Sequence, residues 1–245
     1  MGFKPKNIIL YPKKALKIII FFFPLVFIFF ILVDKIVFGP QNDFYINLAS
    51  EDGFVEWLTV VFYFMSFIFS ILIGKKIIKQ KKNHFAVIYF VFSITFCLIA
   101  FEEISWGQRI FQIDTPEFLE ENLQNELNIH NLPMFHMLRH FFSLLVSLTG
   151  FILWVFFTNS NKLKDTAFTK FFVPQGYVMS YFIPVAIFYE IILFQIHKYF
   201  EVVYVYLVQW PGTEIFEFIL SVGIFIFIIS KFFELKNQEK INSKG

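Results

Sequence analysis

Glu102 and Glu103, followed closely by Ser105, Trp106, Gln108 and Arg109, form the densest group of reactive side chains in this 245-residue chain. Two carboxylates beside an apolar run are costly unless partnered. Arg109 suits one of them, which leaves the other free to act as a general base or as a ligand. On a continuing helix, Glu102, Ser105, Trp106 and Arg109 share a face and Glu103 points elsewhere. A second group, Glu51, Asp52, Gly53, Glu56 and Trp57, opens another apolar run, with Asp52 and Glu56 one helical turn apart. Such carboxylates are tolerated when hydrated, protonated, paired with arginine or bound to a cation, and Glu56 lies deepest. Glu190 and Glu217 fall within further apolar runs, where an unpaired charge costs roughly 2.5–3.5 kcal/mol on insertion scales. His197, Arg109 and Arg139 are the partners expected for them.

Between these groups runs a polar string from Glu121 to Asn131. Trp106, Gln108, Asn125, Glu126, Asn128 and Asn131 are candidate contacts to a sugar or a lipid headgroup, although a solvated loop has the same composition. His136 and His140 are one helical turn apart and able to share a metal. With His130, His197 or a carboxylate as a third ligand they would complete a zinc-type site with an open position for water. The alternative is a set of interfacial histidines that only hydrogen-bond.

The elements that must position these residues are membrane-spanning helices. Hydrophobic residues make up 57% of the chain and 40 residues are Phe, and the apolar runs approach the roughly 20 residues that cross a bilayer. In lipid the backbone must satisfy its own hydrogen bonds, so the fold class is all-α, a polytopic helical bundle in a single domain over 1–245. Six spans are expected at about 15–38, 54–74, 85–103, 138–158, 171–195 and 213–233. An outer loop over 104–137 carries a short interfacial helix near Thr115–Leu119. Val202–Trp210 reads as an interfacial or re-entrant segment, and Pro24, Pro174 and Pro184 are candidate kinks. The first run carries Asp34 and Lys35 at its end and lacks a small-residue cleavage site, so it reads as a retained helix.

Charge sets the orientation. Seventeen of the 21 Lys and Arg lie in four patches, at 4–17, 75–82, 162–170 and 231–244, while 16 of the 19 acidic residues lie on the other side of the spans. The positive-inside bias then makes both termini cytoplasmic in a cell (inner) membrane. Nucleic-acid binding has no support. Cys97 is the single cysteine and excludes an intrachain disulfide. Serine-hydrolase, P-loop and Rossmann signatures are absent, as is the eight-histidine pattern of membrane di-iron oxygenases.

Glu51-Asp52-Gly53 with Glu56 and Trp57, the run E-E-I-S-W-G-Q-R from Glu102 to Arg109, and the Asn-rich string ending in His130-Asn131 together resemble an uncharacterised family of bacterial multi-pass membrane proteins. The resemblance covers residues 51–131 and implies no reaction. From the residues themselves, the expected function is a membrane-embedded enzyme, a hydrolase or transferase assisted by a divalent metal such as zinc. It would act at the outer face on a membrane lipid or a lipid-linked substrate, with Glu56, Glu102, Glu103, Arg109, Glu190 and Glu217 as catalytic candidates. A proton- or cation-coupled transporter and a non-catalytic assembly partner are the alternatives.

Overall fold

The computed structural model describes residues 14–39, 42–49, 53–119, 122, 126–193 and 212–242. Among these the chain is all-helical. Six stretches are long and apolar enough to cross a membrane: Lys14–Phe38, Asp43–Lys79, Asn83–Glu103, Met137–Asn159, Ala167–Glu190 and Thr213–Ile241. The described helices are α1 (Lys14–Phe38), α2 (Asp43–Ala49), α3 (Phe54–Lys79), α4 (Asn83–Glu103), α5 (Gln108–Phe111), α6 (Pro133–Asn159), α7 (Ala167–Phe172), α8 (Met179–Leu193) and α9 (Gly212–Asn242).

The first, second, third, fourth and sixth expected spans coincide with α1, α3, α4, α6 and α9. Helices α3 and α9 run on past the apolar residues into their lysines, because helical hydrogen bonds are local and basic side chains suit the last turn of a helix. The fifth expected span is not one helix. Thr166 caps α7 by accepting from the Thr169 amide at 3.3 Å, and α7 stops at Phe172 ahead of Pro174. The chain restarts through a tight turn at Gly176–Val178 into α8. Pro174 is responsible, since the residue before a proline is driven out of helical geometry. Pro24 and Pro184, by contrast, lie inside α1 and α8. The expected interfacial helix near Thr115–Leu119 is one tight turn at Glu117–Leu119, and Val202–Trp210 lies outside the described residues.

Helix α9 is the centre of the bundle. It packs against α3 on one side and α8 on another, α4 backs α3, and α6 backs α8. The buried positions explain why. On α4 they are Ala86, Tyr89, Ser93, Phe96, Ala100 and Glu103, alternating steps of three and four as in a coiled-coil seam. The seam of α9 runs Glu217, Ser221, Ile224, Ile228, Lys231 and Leu235 in the same rhythm. Small residues at such seams let helices approach closely where lipid offers no hydrophobic drive between them. Large apolar side chains such as Phe29, Val26, Ile94 and Phe156 stay exposed, as a lipid-facing surface should.

The lysine patches gather at one end of this bundle. Lys76 on α3 is ion-paired with Glu239 on α9, Lys82 lies 5.0 Å from the Phe171 ring, and Lys17 lies 5.5 Å from that of Tyr177. Contact at the α8–α9 crossing is closer still: a Cβ at Gly223 would sit 2.6 Å from Tyr181 Cβ. Gly223→Ala is therefore expected to destabilise the protein by about 1–3 kcal/mol through overpacking, visible as a lowered Tm of purified protein. An unchanged Tm would show that α8 and α9 do not approach this closely.

Candidate functional site

At the end opposite Lys76, Lys82 and Lys231, α4 and α9 bring three carboxylates together. Glu103 is the last residue of α4, in phase with its buried seam, and Glu214 and Glu217 occupy the first turns of α9. One carboxylate oxygen from each lies within 4.8 Å of the others. Glu103 and Glu217 are buried and Glu214 is half-buried. Helix α6 supplies the counter-charge: Arg139 Nη1 stands 3.2 Å from Glu217 Oε1 and 3.4 Å from Oε2. From α8, the Tyr189 hydroxyl donates to Glu217 Oε1 at 3.1 Å, and the His140 ring lies 5.3 Å from the Tyr189 ring. Glu217 is thus held on both oxygens. No hydrogen bond or ion pair reaches the buried Glu103 carboxylate among the described residues.

Electrostatically the cluster is acidic. Beyond its burial, Glu103 experiences Glu217, Glu214 and Glu56 as like charges and Arg139 as the opposing one. Like charges gathered this closely in a low-dielectric setting are tolerated only with a proton, an opposite charge or a cation among them. Tyr63 of α3 senses Glu103, Glu217 and Arg139, and the hydroxyl of the fully buried Tyr45, which senses Glu214, has no hydrogen-bond partner.

Adjacent Glu102 does something different. It accepts from Trp106 Nε1 at 2.6 Å, from the amides of Ile129 and His130 at 2.7 and 3.1 Å, and lies 3.4 Å from His130 Nδ1. The helix does not continue past Glu103. Ser105, Trp106 and Gly107 all take positive φ, of 47°, 53° and 79°, a left-handed turn in which a glycine relieves one of three strained positions. This reversal aims Ser105 and Gln108 under the polar loop. Ser105 Oγ donates to Glu126 at 2.7 Å and accepts from Asn128 at 3.1 Å. Asn122 Nδ2 donates to both oxygens of Asn128 at 2.8 Å. Gln108 donates to Thr115 Oγ1 at 2.8 Å and accepts from the Leu127 amide.

The residues expected to read a headgroup are therefore largely engaged within the protein. Gln108, Glu126, Asn128 and Asn131 are buried, and the first three fasten the loop. Trp106 is 42% exposed and stacks on Phe101 at 5.4 Å. Asn125 and His197 lie outside the described residues, and the side chains of Arg109 and His136 are likewise undescribed. Of the histidines expected to share a metal, with a third ligand from a histidine or a carboxylate, only His130 and His140 have described side chains. His130 is bound to Glu102, His140 packs on Tyr189, and the group able to hold a metal contains no histidine. Glu190, expected to find a partner inside the bundle, is exposed on α8, because its neighbour Tyr189 takes the inward position. Glu56 stands half-buried in the first turn of α3. Glu214, Tyr189, Tyr45 and Tyr63 were missing from the sequence-derived site. For Glu214, the three-residue step to Glu217 on the α9 seam was the available signal.

Compared with protein-family models, with curated proteins and with solved structures, the chain matches none.

Two outcomes follow from this geometry. Glu217→Ala leaves the Arg139 guanidinium buried without its carboxylate and should cost about 3–5 kcal/mol. Adding Arg139→Met should recover much of that loss in the double-mutant unfolding cycle. Glu102→Ala should instead release the loop, with amide hydrogen exchange at Ile129 and His130 accelerated by at least about tenfold and little change in exchange along α9. Protection retained at both amides would show that Glu102 does not hold the loop.

Proposed function

We propose that this protein is a membrane-embedded enzyme in which Glu103, Glu214 and Glu217 hold a divalent cation for hydrolysis or group transfer on a lipid or lipid-linked substrate. The observation that carries this reading is the approach of three carboxylate oxygens within 4.8 Å of one another inside a helical bundle. Oxygen-only donors suit hard cations such as Mg²⁺, Mn²⁺ or Ca²⁺ and not zinc, whose protein sites favour imidazole and thiolate. Such a cation polarises the scissile bond or lowers the pKa of bound water. Arg139 and Tyr189 keep Glu217 in place, and Glu103, which has no hydrogen bond or ion pair among the described residues, is the carboxylate offered to a cation or a proton. The separation of lysines from carboxylates along the bundle supports placing the site at the outer face of a cell membrane, with both termini cytoplasmic.

A cation- or proton-coupled carrier is favoured by one feature. Lys231, ion-paired with Glu234 at 3.4 Å, lies on the same seam of α9 as Glu217, about 21 Å away at the helical rise, and Glu234 also accepts from Gln175. Against a continuous route, Phe62, Phe69, Phe218, Phe225 and Phe232 interlock along the α3–α9 contact at ring separations of 5.2–6.2 Å. Mn²⁺ titration of the purified protein, followed by electron paramagnetic resonance, is expected to show saturable binding that weakens by at least about tenfold in Glu103→Gln and in Glu214→Gln. Folded protein that binds no Mn²⁺ would sink the metal-assisted reading. Mn²⁺ uptake into proteoliposomes would transfer the site to the carrier.

A further inference from the structure

A cavity of about 360 Å³ opens beside the last turns of α1, lined by Phe30, Asp34, Phe38, Asn42, Asp43 and Phe44. Its walls are aromatic: Phe30 and Phe44 meet edge-on at 6.0 Å, and Phe30, Phe38 and Phe44 are 52%, 71% and 51% exposed. Its polar side is anionic. Asp34 is only 8% exposed and takes a hydrogen bond from Asn42 Nδ2 at 2.8 Å, while that amide also reaches the Gly39 carbonyl at 2.9 Å. Asn42 Oδ1 accepts from the Tyr45 amide at 2.9 Å, which locks the corner between α1 and α2. Neither Asp34 nor Asp43 is ion-paired among the described residues. The neighbouring Lys35 places its ammonium 4.0 Å over the ring of buried Tyr45.

We infer that this cavity binds the ammonium headgroup of a zwitterionic membrane phospholipid. Phenyl faces with carboxylates and no resident cation are what an organic ammonium needs, since it gains from ring quadrupoles as well as from charge. A bare metal ion would gain nothing from the three phenyl rings that sit beside Asp34, Asn42 and Asp43. The occupant is a lipid because the cavity lies at the end of a 25-residue spanning helix whose adjacent residues Phe29, Ile36 and Val37 face outward at 67%, 66% and 62% exposure. The acyl chains of a bound lipid can run down that apolar surface while the headgroup stays level with Asp34. The inference rests on the membrane-spanning fold and not on the chemistry at Glu103.

Native mass spectrometry of the protein exchanged into a mixture of phosphatidylethanolamine and phosphatidylglycerol tests it. Wild type should retain phosphatidylethanolamine preferentially. Asp34→Asn and Phe44→Leu should each cut that preference by roughly tenfold and leave phosphatidylglycerol adducts unchanged. Asp43→Asn, at an exposed position, reads the same effect without disturbing the buried corner. Glu217→Gln should keep the preference, so loss of the proposed chemistry and loss of this site are separable. Equal retention of both lipids by wild type, or an unchanged preference in both aspartate variants, would overturn the assignment. Displacement of the lipid by millimolar soluble phosphoethanolamine would overturn the membrane source.

Discussion

Burial of the Glu217 carboxylate between Arg139 and Tyr189 ties together three helices whose remaining contacts are largely apolar among the described residues. In a bilayer, packing Phe against Phe gains little over packing Phe against lipid, so apolar surface does not choose one helix arrangement over another. A buried charge does choose. Glu217 on α9 is held at 3.2 Å by a guanidinium from α6 and at 3.1 Å by a phenol from α8, and few arrangements of these helices satisfy all three groups. The close approach of α8 to α9 at Gly223 belongs to the same arrangement. Replacing such a pair with hydrocarbon is often neutral for stability, so its retention is better explained by specificity or function than by strength.

That constraint also explains why adjacent glutamates have separate duties. Glu103 continues the buried seam of α4 into the carboxylate cluster, whereas Glu102 faces the loop and binds two of its amides. A left-handed turn follows at once and ends the helix. A regular helix here would carry Ser105 and Gln108 away from the loop's buried Glu126 and Asn128. The turn strains two non-glycine residues and is compensated by the hydrogen bonds of Ser105, Gln108 and Glu102. Among the described residues the loop is consequently fastened by its own polar side chains, with Asn122, Glu126 and Asn128 engaged in hydrogen bonds within the protein.

Helix α9 carries a polar group at each end of one seam, with Glu217 toward the carboxylate end and Lys231 toward the lysine end. Interlocked phenyl rings separate them. The two ends are chemically different: an acidic one where Glu103, Glu214 and Glu217 converge, and a basic one in which Lys231, Glu234 and Gln175 bond to one another.

The span positions, the all-helical class and the gathering of lysines at one end were legible from the sequence, because hydrophobic length and charge sorting are local properties that lipid enforces directly. Glu102 and Glu103 were recognisable as important for the same reason, and the three–four rhythm from Ala86 to Glu103 already distinguishes the buried carboxylate from its neighbour. Which residues meet was not legible. Of the histidines singled out for a metal, the contacts of His140 with Tyr189 and of His130 with Glu102 could not be read from helical spacing. Glu190 looked buried by depth but faces outward, since depth along a helix says nothing about its rotation. The break at Pro174 and the left-handed turn at Ser105–Gly107 depend on what the restarted chain can pack against. Glu103 and Glu214 are more than a hundred residues apart, and only the packing of α4 against its neighbours and of α9 at the centre brings their carboxylates together, because side-chain convergence is set by helix rotation and crossing geometry that no local pattern encodes.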